Sequence, residues 1–237
     1  MHADPSGLVL TPLREDRRRV PVPTGGATDD RPWTPDVELF ETAQALIASR
    51  QNVSPTRLVE PGPSPQQFEA LMTLAAAAPD HGLLTPWRFI VVPLAQRQRL
   101  AEVFALSLID RDPGATLEQI ESAREKAYRA PLLMVAVACL GLREPNIPRL
   151  ERMISMGAAV QNVLLGAHAL GFGAGLTSGQ AMKSPRMHAL CGLAQGEYAV
   201  CCLNIGTVCK RKGNVRVRPG SAQLVSVLGA EPTARDG

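Results

Sequence analysis

Helices packed around a few buried strands, without regular strand-helix alternation, are the fold class the sequence predicts. Three observations predict it. Helix-periodic segments with their own start signals outnumber strand-like ones. The run Pro131-Leu-Leu-Met-Val-Ala-Val-Ala-Cys139 is almost unbroken in apolar residues, the pattern of a strand covered on both faces. No Gly-x-Gly-x-x-Gly opens a helix after a strand with an acidic residue about 20 positions later, so a Rossmann dinucleotide site is disfavoured. Gly171-Phe-Gly-Ala-Gly175 comes nearest to that fingerprint, but it ends a helix rather than opening one.

Taken in order, residues 1 to 33 hold Pro and Gly, four clustered arginines and Thr24-Gly-Gly-Ala-Thr-Asp-Asp30, which reads as a mobile arm ahead of a domain over 34–237. A helix is expected from Thr34, with Pro35 at its first position and Asp36 at the positive end of its dipole. Leu39, Phe40, Ala43, Leu46 and Ile47 supply its apolar side. Ser64-Pro-Gln-Gln67 is a capping box ahead of Phe68, Leu71, Met72 and Ala75, spaced i, i+3, i+4, i+7. Pro79 stops that helix, and residues 88 to 92 form a strand. A helix over about 95 to 108 follows, then a second capping box, Thr116-Leu-Glu-Gln119, opening a helix to about Tyr128. The longest helix runs from about Arg149 to Leu170, with Ala and Gly residues that permit close helix contact, and Gly171 ends it. A short strand leads to Leu176-Thr177-Ser178-Gly179, and Ser184-Pro185 starts a short helix. Tyr198 to Ile205 is a central strand, and the tail beyond 213 suits wrapping around another subunit.

Composition narrows the function classes. The chain has 237 residues, 45% hydrophobic and 20% charged, with a formal charge of +3. That is an ordinary globular balance. The basic residues cluster near the two ends and accompany no nucleic-acid motif, so nucleic-acid binding is not expected. Five cysteines at 139, 191, 201, 202 and 209 show no metal spacing and fit a reducing cytoplasm. No segment has the roughly 18 apolar residues of a membrane helix, and no secretory leader is evident.

Four regions carry polar residues that a plain core role explains poorly. Arg50, Gln51, Asn52 and Ser54 lie just past a helix, and Arg makes bidentate contacts with phosphate. They also suit a simple helix end with a solvated Arg. Asp80-His81 with Thr85 offers donors from a tight helix-to-strand turn, or a structural His. There is no Gly-x-Ser-x-Gly elbow and no second His at metal spacing, so neither a serine hydrolase nor a metal site is expected. Leu176, Thr177 and Ser178 follow a strand and offer hydrogen bonds to a flat heterocycle, or form an ordinary loop. Lys210 and Arg211 follow a strand end and suit an anion, or form a solvated basic turn.

In order and spacing these pieces resemble the flavin-dependent nitroreductase family over about residues 38 to 228, particularly its short bacterial members with a Pro-Asp-His turn. The matching pieces are Arg57-Leu-Val-Glu-Pro61, Pro79-Asp-His81 with Pro86-Trp87, Arg129-Ala-Pro-Leu132, Ser155-Met-Gly-Ala-Ala159, Ala169-Leu-Gly-Phe-Gly173 and Leu203-Asn-Ile-Gly-Thr207. The resemblance implies an α+β fold with a central mixed sheet flanked by helices, in an intertwined homodimer holding two FMN molecules at its interface. It implies ping-pong chemistry, with NAD(P)H as hydride donor to flavin N5 and a nitro, quinone or other electrophilic small molecule as acceptor.

Residue by residue, the resemblance assigns Arg50 to the FMN phosphate or ribityl chain, with Ser54 in support. Gln51 and Asn52 stand where relatives often carry Arg and Ser. His81 and Thr85 match positions that reach the flavin from the partner subunit, Thr85 replacing a frequent Gln. Leu176, Thr177 and Ser178 match a Trp-Arg-Ser segment near the ring. Lys210 and Arg211 then supply phosphate charge. A flavin-binding protein of the same fold without nicotinamide turnover, serving as a sensor or store, is the alternative; a cofactor-free structural dimer is a third reading.

Overall fold

A long strand pair at the centre of a five-stranded sheet organises everything else. In the computed structural model the described residues are 34, 36–141, 144, 146–210 and 217–229. The expected arm, 1–33, lies outside them, as do Pro35 and Arg211. The elements in chain order are α1 (Val37–Ser49), β1 (Leu58–Val59), α2 (Pro65–Ala76), β2 (Trp87–Val91), α3 (Arg97–Arg111), α4 (Leu117–Glu125), β3 (Leu132–Cys139), α5 (Arg149–Ala169), β4 (Gly173–Thr177), α6 (Pro185–Leu190), β5 (Glu197–Val208) and α7 (Ser221–Leu224).

The strand order is β1-β5-β3-β2, with β4 also paired to β5. Every ladder is antiparallel. The parallel component of the expected mixed sheet is one bridge, Asn52 to Ala174, lying against the β4 edge. Leu132 through Ala138 of β3 are all buried, because both faces carry helices. Met134 and Ala136, with Leu203 and Ile205 of β5, pack against α2 and α5 through Leu71, Met156, Ala159 and Val163. Leu133, Val135 and Val137, with Cys202, pack against α3 and α6 through Leu100 and Met187. The strand alternation thus feeds two separate cores, giving a helix-sheet-helix sandwich.

Local chemistry sets the boundaries. Both expected capping boxes form. The Ser64 hydroxyl accepts from the Gln67 N–H at 3.3 Å while the Gln67 side chain accepts from the Ser64 N–H at 2.8 Å, and Thr116 with Gln119 repeats the pattern. The first helix starts later than expected. Asp36, not Thr34, is its cap: its carboxylate accepts from the Leu39 N–H at 2.9 Å, so the helix opens at Val37. A carboxylate at the cap position suits the positive end of the dipole. At the other extreme, α5 closes with Gly171 at φ 87 and with the Phe172 N–H donating to the Ala167 carbonyl at 2.9 Å, a Schellman ending.

In α1 no residue is buried; Val37, Leu39, Phe40 and Ile47 are each more than half exposed. Along α5, Leu150 and Ile154 are 77% and 71% exposed, and Gly157 on the same stripe is open to solvent. No helix among the described residues is long and apolar enough to cross a membrane.

Candidate functional site

The loop after α1 is fastened to the β4 edge, and this brings three distant stretches of sequence together. The Val53 N–H donates to the Ala174 carbonyl at 3.0 Å, and the Asn52 side-chain carbonyl accepts from the Leu176 N–H at 3.3 Å. The approach is close enough to demand glycine at 175, where a Cβ would lie 2.3 Å from the Val53 carbonyl oxygen. The 3₁₀ turn Pro55–Arg57 then leads to the end of β5. There the Arg57 Nη1 donates to the Lys210 carbonyl at 3.0 Å, and the Cys209 N–H donates to the Arg57 carbonyl at 3.0 Å. Residues 50–57, 174–178 and 207–210 therefore share one sheet edge.

The polar inventory there is uneven. Asn52 spends its carbonyl on fastening the loop. The Thr177 hydroxyl accepts from the buried Asn204 amide at 3.0 Å, which leaves its own proton to donate outward. The Ser178 hydroxyl donates to the Val200 carbonyl at 2.8 Å and keeps its lone pairs for an incoming donor. Ser54 pairs with Thr56 at 2.9 Å. Arg50 is half-buried, and Gln51, Leu176 and Lys210 are exposed. The Nε of Arg57 is buried and has no acceptor among the described residues, an arrangement that costs free energy unless something completes it.

His81 and Thr85 sit elsewhere. The His81 Nδ1 lies 2.8 Å from a Glu151 carboxylate oxygen, at the first turn of α5. The Asp80 carboxylate accepts from the Thr85 N–H. This turn holds Leu83 and Thr85 at φ 52 and 46, each a left-handed conformation costing roughly 1–2 kcal/mol in a non-glycine residue. The end of α1, where the loop to the β4 edge begins, by contrast meets the last turn of α5, the Ser49 hydroxyl lying 2.8 Å from the His168 Nε2. Glu151 and His168 are 17 residues apart on one helix, or about 25 Å at the helical rise. One chain therefore does not bring His81 to Arg50.

A cavity of about 380 Å³ opens beside the shared edge, on the α3 face of the sheet. Ser54, Thr177 and Ser178, three of the residues expected at a flavin site, line it. It is also lined by Phe104 and Arg111 of α3, by Lys126 and Arg129 after α4, and by Cys202 and Asn204 of β5, none of which the sequence reading assigned to a site. Asn204 was the discoverable one, a lone amide in an apolar strand. The cations carried no signal, since charged residues at helix ends are usually solvated. Burial raises the thiols of Cys201 and Cys202, to about 11 and about 12, so neither is a nucleophile at neutral pH.

An antiparallel sheet between two helical layers, with a polar edge built by the loop after the first helix and the end of the last long strand, makes this an α+β domain. The nitroreductase family profile matches residues 58–207, and the chain belongs to that family of oxidoreductases. The chain is 32% identical over 165 residues to "Putative NAD(P)H nitroreductase YdjA" of Escherichia coli K12, covering 70% of this chain and 87% of that one. Among solved structures, a nitroreductase-like family protein from Bacillus cereus superposes with a TM-score of 0.67 at 19% identity, over 78% of this chain and 95% of the other. An FMN-dependent nitroreductase from Clostridium difficile superposes with a TM-score of 0.55 at 15% identity, over 78% and 98%.

Proposed function

We propose that this protein is an FMN-dependent oxidoreductase that uses NAD(P)H to reduce an electrophilic small molecule, with each site assembled from two copies of the chain. The observation that carries the reading is the meeting of residues 50–57, 174–178 and 207–210 on one edge, while His81 and Thr85 lie about 25 Å away along α5. Two α5 helices crossing antiparallel about a two-fold axis would set the His81 end of one against the Arg50 end of the other. The exposed apolar stripes of α1 and α5 support such a pairing.

The donor set suits a phosphate-bearing flavin. Arg50, Ser54, Lys210 and Arg211 would hold the phosphate and ribityl chain, and the unpartnered Arg57 Nε is a further donor beside them. Leu176, Thr177 and Ser178 would flank the ring, and His81 and Thr85 of the second copy would close it. Bound FMN would supply two-electron chemistry between the nicotinamide and the acceptor. Gln51 adds a neutral amide in place of a second cation, and Asn52 keeps the loop at its distance from β4. Thr177 offers the ring a hydroxyl proton but no charge. That feature favours a second reading, a flavin carrier without nicotinamide turnover.

Anaerobic mixing of the FMN-loaded protein with NADH or NADPH separates the two. Loss of the visible flavin band within seconds is the expected result. Flavin that stays bound and oxidised establishes the carrier, and a protein that binds no flavin ends both readings.

A further inference from the structure

Glu151 occupies the first turn of α5, with Arg149 and Arg152 close beside it in sequence. Neither arginine takes it. Arg149 donates to the Tyr198 hydroxyl at 2.7 Å, and its guanidinium lies 5.3 Å from the centre of that ring. Arg152 donates to the Ile147 and Glu144 carbonyls at 3.1 and 2.6 Å. The Glu151 carboxylate goes instead to the His81 Nδ1 at 2.8 Å. An exposed pair of this kind adds little to stability, and both side chains stay open, His81 by 66% and Glu151 by 46%. The turn that presents His81 is nevertheless held at a cost. Gly82, Leu83 and Thr85 are all left-handed, and Ile147 packs over Gly82, where a Cβ would lie 2.9 Å from its Cδ1. Such backbone persists where the surroundings impose it, and it gathers at functional sites.

The chemistry of the pair is directional. An ionised carboxylate only accepts hydrogen bonds, so the proton between the two groups sits on Nδ1. The neutral ring then has a bare Nε2, an acceptor, and Nε2 has no hydrogen-bond partner among the described residues. We propose that Glu151 is a positioning residue for the flavin site of the second copy: it fixes the tautomer and rotation of the His81 ring, so that Nε2 reaches across the interface to accept from an N–H or O–H of the flavin. This rests on the two-copy site proposed above, and it adds to that site a side chain that acts only through His81.

The test pairs two measurements on the full chain and on Glu151→Gln, His81→Ala and the double variant. Glu151→Gln keeps the shape of the side chain, and its half-exposed position should leave the fold intact. Nitrogen-15 spectra of the flavin-free protein, taken with the ring neutral, report the tautomer; the His81 signals are those lost in His81→Ala. The proton is expected on Nδ1 in the wild type, and the Nε2–H form should gain in Glu151→Gln. FMN titration should show a loss of about threefold to tenfold in Glu151→Gln, about tenfold or more in His81→Ala, and no further loss when the two are combined. An Nε2–H ring in the wild type overturns the proposal, as does a tautomer indifferent to Glu151→Gln. So does an equal loss of FMN from Glu151→Gln with and without His81, because Glu151 then acts by another route. Full FMN affinity in Glu151→Gln beside a weakened His81→Ala removes this proposal alone and leaves the two-copy site standing. Full affinity in His81→Ala removes His81 from that site, and the role given to Glu151 falls with it.

Discussion

Glu197 shows how much one side chain can be asked to do at the start of a central strand. Arg88 on β2 grips it with both arms of its guanidinium, at 2.9 and 2.7 Å, and the Ala194 N–H adds a third bond at 3.0 Å. The hydrogen bonds from Arg88 are the main reason its carboxyl falls to about 2 from an ordinary 4.5, against the opposing effect of burial. A depressed carboxylate stabilises the fold fully above about pH 4.5, and that contribution drains away as pH falls toward 2. Glu197→Gln should therefore melt at a lower temperature at neutral pH, and its melting temperature should fall less than the wild type's between pH 4.5 and 2. Melting curves across that range check it; two parallel acid limbs would assign the acid sensitivity to other carboxylates. The same scale shows why some positions read easily from sequence and others did not. The Arg88–Glu197 pair spans 109 residues, so nothing local in the sequence announces it.

At the scale of elements, whatever depends on neighbours within a few positions was legible. Both capping boxes, the Gly171 ending of α5 and the doubly covered β3 all arise from spacing within one segment. Thr34 failed as a helix start for an equally local reason, since Asp36 is the better cap and lies one step before Val37. What spacing could not tell was whether an apolar stripe is buried in its own chain. The stripe of α1 was legible, yet the single chain leaves Phe40 66% and Ile47 55% exposed. Helix faces that are apolar and uncovered call for another surface, and Ile154 stands in the middle of the open side of α5. Ile154→Arg should convert a dimer at micromolar concentration into a monomer, since an unpaired buried charge at an interface is costly. Its helix content should be unchanged, because Ile154 is 71% exposed in the single chain. Sedimentation velocity reads the difference; a variant that sediments like the wild type would clear this face of any role in assembly.

The whole molecule brings together what the sequence held apart, and it does so unequally. Val53 meets Ala174 and Arg57 meets Lys210 within one chain, so the described part of this edge is assembled without a partner. The cavity's cations join that edge through folds of chain some fifty residues away, which is why the segment-by-segment reading did not find them. His81 remains about 25 Å off along α5, and in the proposed reading a second copy supplies it. This division of labour has a consequence that neither half-site mutant shows alone. Arg50→Ala and His81→Ala should each lose FMN affinity by about tenfold or more as homodimers, because each damages both sites. Unfolding and refolding an equal mixture forms heterodimers. In each heterodimer one site receives the Arg50→Ala lesion from one chain and the His81→Ala lesion from the other, and is doubly impaired. The remaining site takes Arg50 and His81 from opposite chains and is intact. Random pairing then returns about a quarter of all sites to full affinity. FMN titration of the refolded mixture should show that fraction as a distinct tight phase, absent from either variant by itself. If Arg50 and His81 serve the same site within one chain, every site in the mixture carries one lesion and no tight phase forms.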